Sequence, residues 1–133
     1  MEYGFESRGE EQGRAPFAYY DRGTPAERWE RAGRLFGERR YAAAAVVLRG
    51  LVEAEPRQVA ARLLLARSYY HSAQLGRAER ELREVLELDP VEGYAQLMLG
   101  RTLQRLGRDA EAVRYLRTAA ALDGDFPFPR DAR

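Results

Sequence analysis

Residues 86–90 read LELDP, and the same kind of closure occurs at equal spacing on either side, as VEAEP (52–56) before it and AALDG (120–124) after it. Proline stops a helix because it lacks an N–H and clashes with the preceding turn, and glycine stops one because it enters backbone regions that other residues avoid. Punctuation at 56, 90 and 124 therefore implies one structural unit used three times.

Between these marks the apolar residues recur at helical spacing, and the runs are bounded by Gly, Pro or charged pairs. The spacing predicts six helices, over 25–37, 41–54, 57–71, 75–88, 91–105 and 109–122. The first opens with TPAE, in which Thr24 can cap, Pro25 suits the first turn and Glu27 can close a capping box. DPVE at 89–92 predicts the same chemistry for the fifth helix. The connections are short, so consecutive helices must lie antiparallel as hairpins. One hairpin cannot bury its apolar face alone, whereas three stacked in line share a continuous core.

Residues 59–92, VAARLLLARSYYHSAQLGRAERELREVLELDPVE, carry Leu65, Ala66, Tyr69, Ala78, Leu82, Val85 and Pro90 at the positions that define a tetratricopeptide repeat. The next copy has Leu99, Gly100, Leu103, Ala112, Leu116 and Ala119, with Gly124 in place of the proline. The preceding copy, more divergent, has Arg31, Ala32, Leu35, Ala44, Leu48, Leu51 and Pro56. The chain thus resembles a three-repeat tetratricopeptide protein of the small bacterial kind. The resemblance implies an all-α, right-handed superhelical solenoid of three antiparallel helical hairpins. It divides the chain into a flexible N-terminal extension (1–24), a repeat domain (25–58, 59–92 and 93–124) and a Pro-containing C-terminal tail (125–133). The small residues Ala32, Ala66 and Gly100, facing Ala44, Ala78 and Ala112, are read as core that lets paired helices approach closely.

Composition narrows the chemistry. Twenty-two basic and 21 acidic residues leave a formal charge of +1, which provides no global field for nucleic acid or an anionic membrane. Lys, Asn and Ile are absent, as expected of G/C-rich coding, so the use of arginine alone carries little functional meaning. There is no Cys and a single His, His71, so neither a disulfide nor a Cys/His metal site is expected, and no cofactor is implied. GRLFG (33–37) has no preceding strand to make it a phosphate loop, and the acids of EVLELD (84–89) read as a solvated face paired with Arg80 and Arg83. Nothing beside His71 supplies a nucleophile, so it reads as a hydrogen bonder at the groove edge and the protein as no enzyme. The first residues, MEYGFESRGEEQGR, lack a signal-peptide layout. The longest apolar run, Tyr41–Leu48, falls well short of the ~18 residues of a membrane span. A cytoplasmic protein without a membrane segment is the expectation.

The resemblance implies that the first helix of each hairpin lines a concave groove. The groove residues so assigned include Trp29, Phe36, Leu63, Arg67, Tyr70, His71, Tyr94, Leu97, Arg101 and Arg105. They form an aromatic and aliphatic floor with a basic lip, suited to a protein or peptide ligand with apolar anchors and an acidic residue. The expected function is a non-enzymatic protein–protein interaction adaptor or scaffold. The alternative is a self-association module that forms a homodimer through its groove or ends. Members that clamp chaperone C-termini use basic and Asn residues where this chain has Trp29, Gly33, Leu64, Tyr94 and Met98, so that clamp is not expected here. Two terminal expectations remain. APFAYY (15–20) is read either as part of a plain disordered leader or as sheltering its rings along the groove or first hairpin, and Phe126 and Phe128 as folding back over the end of the third hairpin.

Overall fold

The computed structural model describes residues 22–122, which form six α-helices and no strand. These are α1 (Pro25–Gly37), α2 (Tyr41–Ala54), α3 (Val59–His71), α4 (Leu75–Leu88), α5 (Gly93–Arg105) and α6 (Asp109–Leu122). The expected docking sites of APFAYY and of Phe126 and Phe128 involve segments outside the described residues.

α1 begins as its sequence predicts. Thr24 accepts from the Glu27 N–H at 3.1 Å while Glu27 accepts from the Thr24 N–H at 2.8 Å, a complete capping box. The fifth helix corrects the DPVE reading. Asp89 ends α4, its N–H donating to the Val85 carbonyl at 2.8 Å, and Pro90 lies in the turn that follows. Glu92 is the residue that caps α5, accepting from the Tyr94 N–H at 3.2 Å. α3 and α5 therefore each start later than the proline pattern predicts, at Val59 and Gly93, because the residues after the helix stop are used in a turn closed from Gln58 to Glu55 and from Glu92 to Asp89.

The three hairpin turns repeat one geometry. Arg39, Ala73 and Gly107, equivalent positions of successive repeats, have φ of 63°, 61° and 79°. The N–H of the following residue reaches back in each case to Leu35, Tyr69 or Leu103, at 2.9, 2.8 and 2.8 Å. This left-handed step reverses the chain abruptly and starts the next helix at once. Only at Gly107 does the residue type meet it without steric cost.

Each helix packs on its neighbours in sequence, and α3 also touches α5, so hairpins stack in chain order. The contact seam inside the hairpins is built from small side chains. Ala32, Ala44, Ala66 and Ala78 are fully buried, and a Cβ placed on Gly100 would lie 2.5 Å from Leu116 Cδ2. Leu48, Leu65, Leu82 and Leu99 fill the space around that seam, each burial contributing about 2–3 kcal/mol. Ser68 and Thr102, buried at equivalent places, satisfy their hydroxyls by donating to Leu64 and Met98 carbonyls one turn back. One core cluster joins hairpins one and two, another joins two and three, and Tyr70 packs against both. At the far end, Val113 and Leu122 on α6 are exposed. None of the described helices is long and apolar enough to cross a membrane.

Candidate functional site

α1, α3 and α5, the first helices of the three hairpins, bring six of the ten assigned groove residues into mutual contact. Arg67, on α3, reaches both adjacent hairpins. Its guanidinium carbon lies 4.8 Å from the centre of the Phe36 ring on α1 and 5.4 Å from that of Tyr94 on α5. Arg105 lies 4.6 Å over the Tyr70 ring and donates to the Tyr70 carbonyl at 3.1 Å. A guanidinium is planar and weakly hydrated, so a ring face holds it well while its edge keeps N–H groups for an acceptor.

His71 connects the two arginine positions. Its ring meets the Phe36 ring edge-on at 5.8 Å and the Tyr70 ring at 5.4 Å, and stacks on Tyr41 at 4.8 Å with 26° between planes. The sequence makes it a hydrogen bonder; its contacts are instead those of a stacked ring. Burial, then the nearby charges of Arg67 and Arg105, hold its pKa below the ordinary 6.5. Burial likewise raises the Tyr94 phenol, against the pull of Arg67. The rings of Phe36, Tyr70 and Tyr94, assigned to the aromatic floor of the groove, are half-buried and already carry cations.

Trp29 stands apart from this cluster. It is 41% exposed and lines a mostly apolar pocket of about 620 Å³ with Pro25, Ala26, Leu51, Ala54 and Ala60. Leu63, Leu97 and Arg101 are half-buried on α3 and α5, with Leu63 packed on the core of hairpins two and three. Two parts of the site lie beyond the reach of the repeat register. Tyr41 opens α2, a second helix that the register places away from the groove, and Leu51 and Ala54 complete the Trp29 pocket from the end of that helix. Their helical position gives no sign of this, because a residue at a helix end can reach around to the opposite face.

The other arginines with resolved ion pairs are neutralised within the molecule. Glu79 accepts from Arg83 and, with both oxygens, from Arg108, at 2.9–3.1 Å, and Arg62 pairs with Glu81 at 2.8 Å. Arg83 and Arg114 both donate to the Tyr115 hydroxyl, at 2.9 and 2.6 Å, beside a pocket of about 370 Å³ between α4, α5 and α6. Arg67 and Arg105 have no ion pair among the described residues. Nor do the described residues include a group of three His, Cys, Asp or Glu able to hold a metal.

Profiles of the tetratricopeptide repeat match residues 35–97 and 94–126. Among curated proteins, nothing matches the chain. Among solved structures, it is similar to MamA from Desulfovibrio magneticus RS-1, at 24% identity and a TM-score of 0.68, over 72% of this chain and 54% of that one. A double mutant of MamA RS-1 aligns at 25% identity and a TM-score of 0.68, over 73% and 57%. The chain spans little more than half the length of these two MamA chains. The first repeat domain of Spaghetti (RPAP3), solved with the HSP90 peptide SRMEEVD, aligns at 15% identity and a TM-score of 0.70, over 84% of this chain and 82% of that one. At such identities, the likeness to Spaghetti and to MamA from Desulfovibrio magneticus is one of fold.

Proposed function

The chain belongs to the tetratricopeptide repeat family, and from that premise we propose that it is a non-enzymatic adaptor whose inner face binds a peptide or helix of a partner protein. The observation that carries this reading is Arg67, held between rings from the two neighbouring hairpins and paired with no acid among the described residues. A charge fixed in place without a counter-charge suits an acidic group from outside. The Trp29 pocket supplies the apolar end, so the fitting ligand has a large apolar side chain for that pocket and an acid for the arginines. The fold likeness to a domain solved with a peptide supports a peptide-sized ligand. Trp29, Gly33, Leu64, Tyr94 and Met98 stand where a chaperone-tail clamp needs basic and Asn side chains, so that class of tail is not proposed.

Selection from a displayed peptide library, followed by calorimetry on the purified chain, tests the reading. Trp29→Ala should cost about 2 kcal/mol of binding, while Arg80→Ala, on exposed α4 surface, leaves affinity unchanged. Equal affinity of both variants and the parent would place the site elsewhere. Exposed Val113 and Leu122 favour a second reading, self-association through the α6 end. Light scattering at micromolar concentration decides it, since that reading requires a mass above one chain.

A further inference from the structure

Arg67 and Arg105, which have no ion pair among the described residues, are not scattered. The rings that carry Arg67 and Arg105, Phe36 and Tyr70, are the rings His71 touches edge-on, so the imidazole lies one ring away from each guanidinium. Among the described residues, the groups against His71 come from four helices. They are Phe36 on α1, Tyr41 on α2, Arg67 and Tyr70 on α3 and Arg105 on α5, with no carboxylate among them. His71 and Arg105 are exposed, and Arg67 is half-buried, so an incoming group can approach. Stacking leaves guanidinium edges as in-plane donors, and a protonated imidazole adds one more.

One carboxylate would neutralise one of these centres and leave the rest repelling each other. A phosphoryl group, with close to two negative charges and three strong acceptor oxygens, can answer two guanidiniums and an imidazolium together. We propose that Arg67, His71 and Arg105 form a binding site for a dianionic phosphoryl group, carried in a partner by a phosphorylated side chain. The identity of the carrier rests on the groove reading above. The anion site itself does not, and it responds to inorganic phosphate alone.

His71 is the chain's single histidine, so its imidazole proton signals identify themselves in an NMR titration. The intact chain is titrated in sodium chloride, in sodium acetate and in inorganic phosphate, at one ionic strength. An anion close to the ring favours the charged imidazole, so phosphate should raise the His71 midpoint by about half a pH unit or more over chloride, and acetate by much less. Arg67→Gln with Arg105→Gln should abolish the phosphate shift while circular dichroism shows unchanged helix content, and Arg80→Gln should retain it. Equal midpoints in phosphate and acetate overturn the proposal, as does a phosphate shift that survives in the double variant. A phosphate shift in a protein that selects no peptide supports this site and sinks the partner reading alone.

Discussion

Arg67 and Arg83 belong to adjacent helices of one hairpin and are held in opposite ways. Arg83, on α4, donates to Glu79 and to the Tyr115 hydroxyl, so its charge is spent inside the molecule. Arg67, on α3, is fixed by the faces of Phe36 and Tyr94, which restrain a cation without neutralising it. Glu79 shows the same logic from the acid side. Burial alone would raise its pKa, yet hydrogen bonds from Arg108 and Arg83 hold it below the ordinary 4.5. The Glu79 network thus ties α4 to α6 across hairpins. Arg67 and Arg105 instead lie over aromatic faces with no ion pair among the described residues, and Arg105 also donates to the Tyr70 carbonyl.

The comparison breaks most visibly if the inner-face charges prove structural. Arg67→Gln with Arg105→Gln should weaken an acidic peptide ligand by about 3 kcal/mol, the scale of two charge-assisted hydrogen bonds, and flatten the salt dependence of its binding. The unfolding midpoint should stay near that of the parent. A lowered midpoint with unchanged affinity would show that both surfaces use arginine for stability.

The converse applies to the outer network. Glu79→Gln keeps the shape and removes the charge that Arg83 and Arg108 share. Both arginine side chains are about two-fifths exposed, so solvent screens much of the loss. The expected cost is about 1 kcal/mol of stability with peptide affinity unaltered, read by urea denaturation and calorimetry. A loss of affinity would connect the two surfaces in a way that the contacts do not indicate.

Much of this arrangement is legible without coordinates. The closures at 56, 90 and 124 place the hairpins, and small residues at Ala32, Ala66 and Gly100 announce where helices meet closely, because a side chain there has no room. The turn geometry is legible only once. Gly107 declares a left-handed residue, whereas Arg39 and Ala73 adopt the same conformation against their own preference, held by the hairpin around them. For the site, the family register picks out six residues that the structure brings together, Phe36, Arg67, Tyr70, His71, Tyr94 and Arg105. It does not indicate that Arg67 occupies two rings of the expected aromatic floor, because that depends on distances between three hairpins and on side-chain directions. Tyr41 is hidden for the same reason, since its stack on His71 is made between one helix start and another helix end.

Acidity separates the two surfaces by their titrations. The folded state holds His71 below 6.5 through burial and the charges of Arg67 and Arg105, so between that lowered value and 6.5 the unfolded chain binds more protons. Stability should therefore fall as pH drops through 6.5 and stop falling below the folded pKa. Glu79 acts in a lower window. Its pKa is depressed, so its contribution is complete above 4.5 and is lost as pH falls through the folded value. Glu111, held down by its hydrogen bond from Arg108, titrates in that same lower window. Urea midpoints measured across pH should then show two steps, a shallow one near 6.5 and another below 4.5. His71→Gln should erase the upper step and leave the lower, while Glu79→Gln should diminish the lower and leave the upper. The upper step is the smallest effect expected here, because the exposed His71 ring keeps much of its hydration. It is also the most informative about the groove. If His71→Gln leaves the upper step in place, the Arg67 and Arg105 charges do not act on that ring, and the inner face is no more electrically open than the outer.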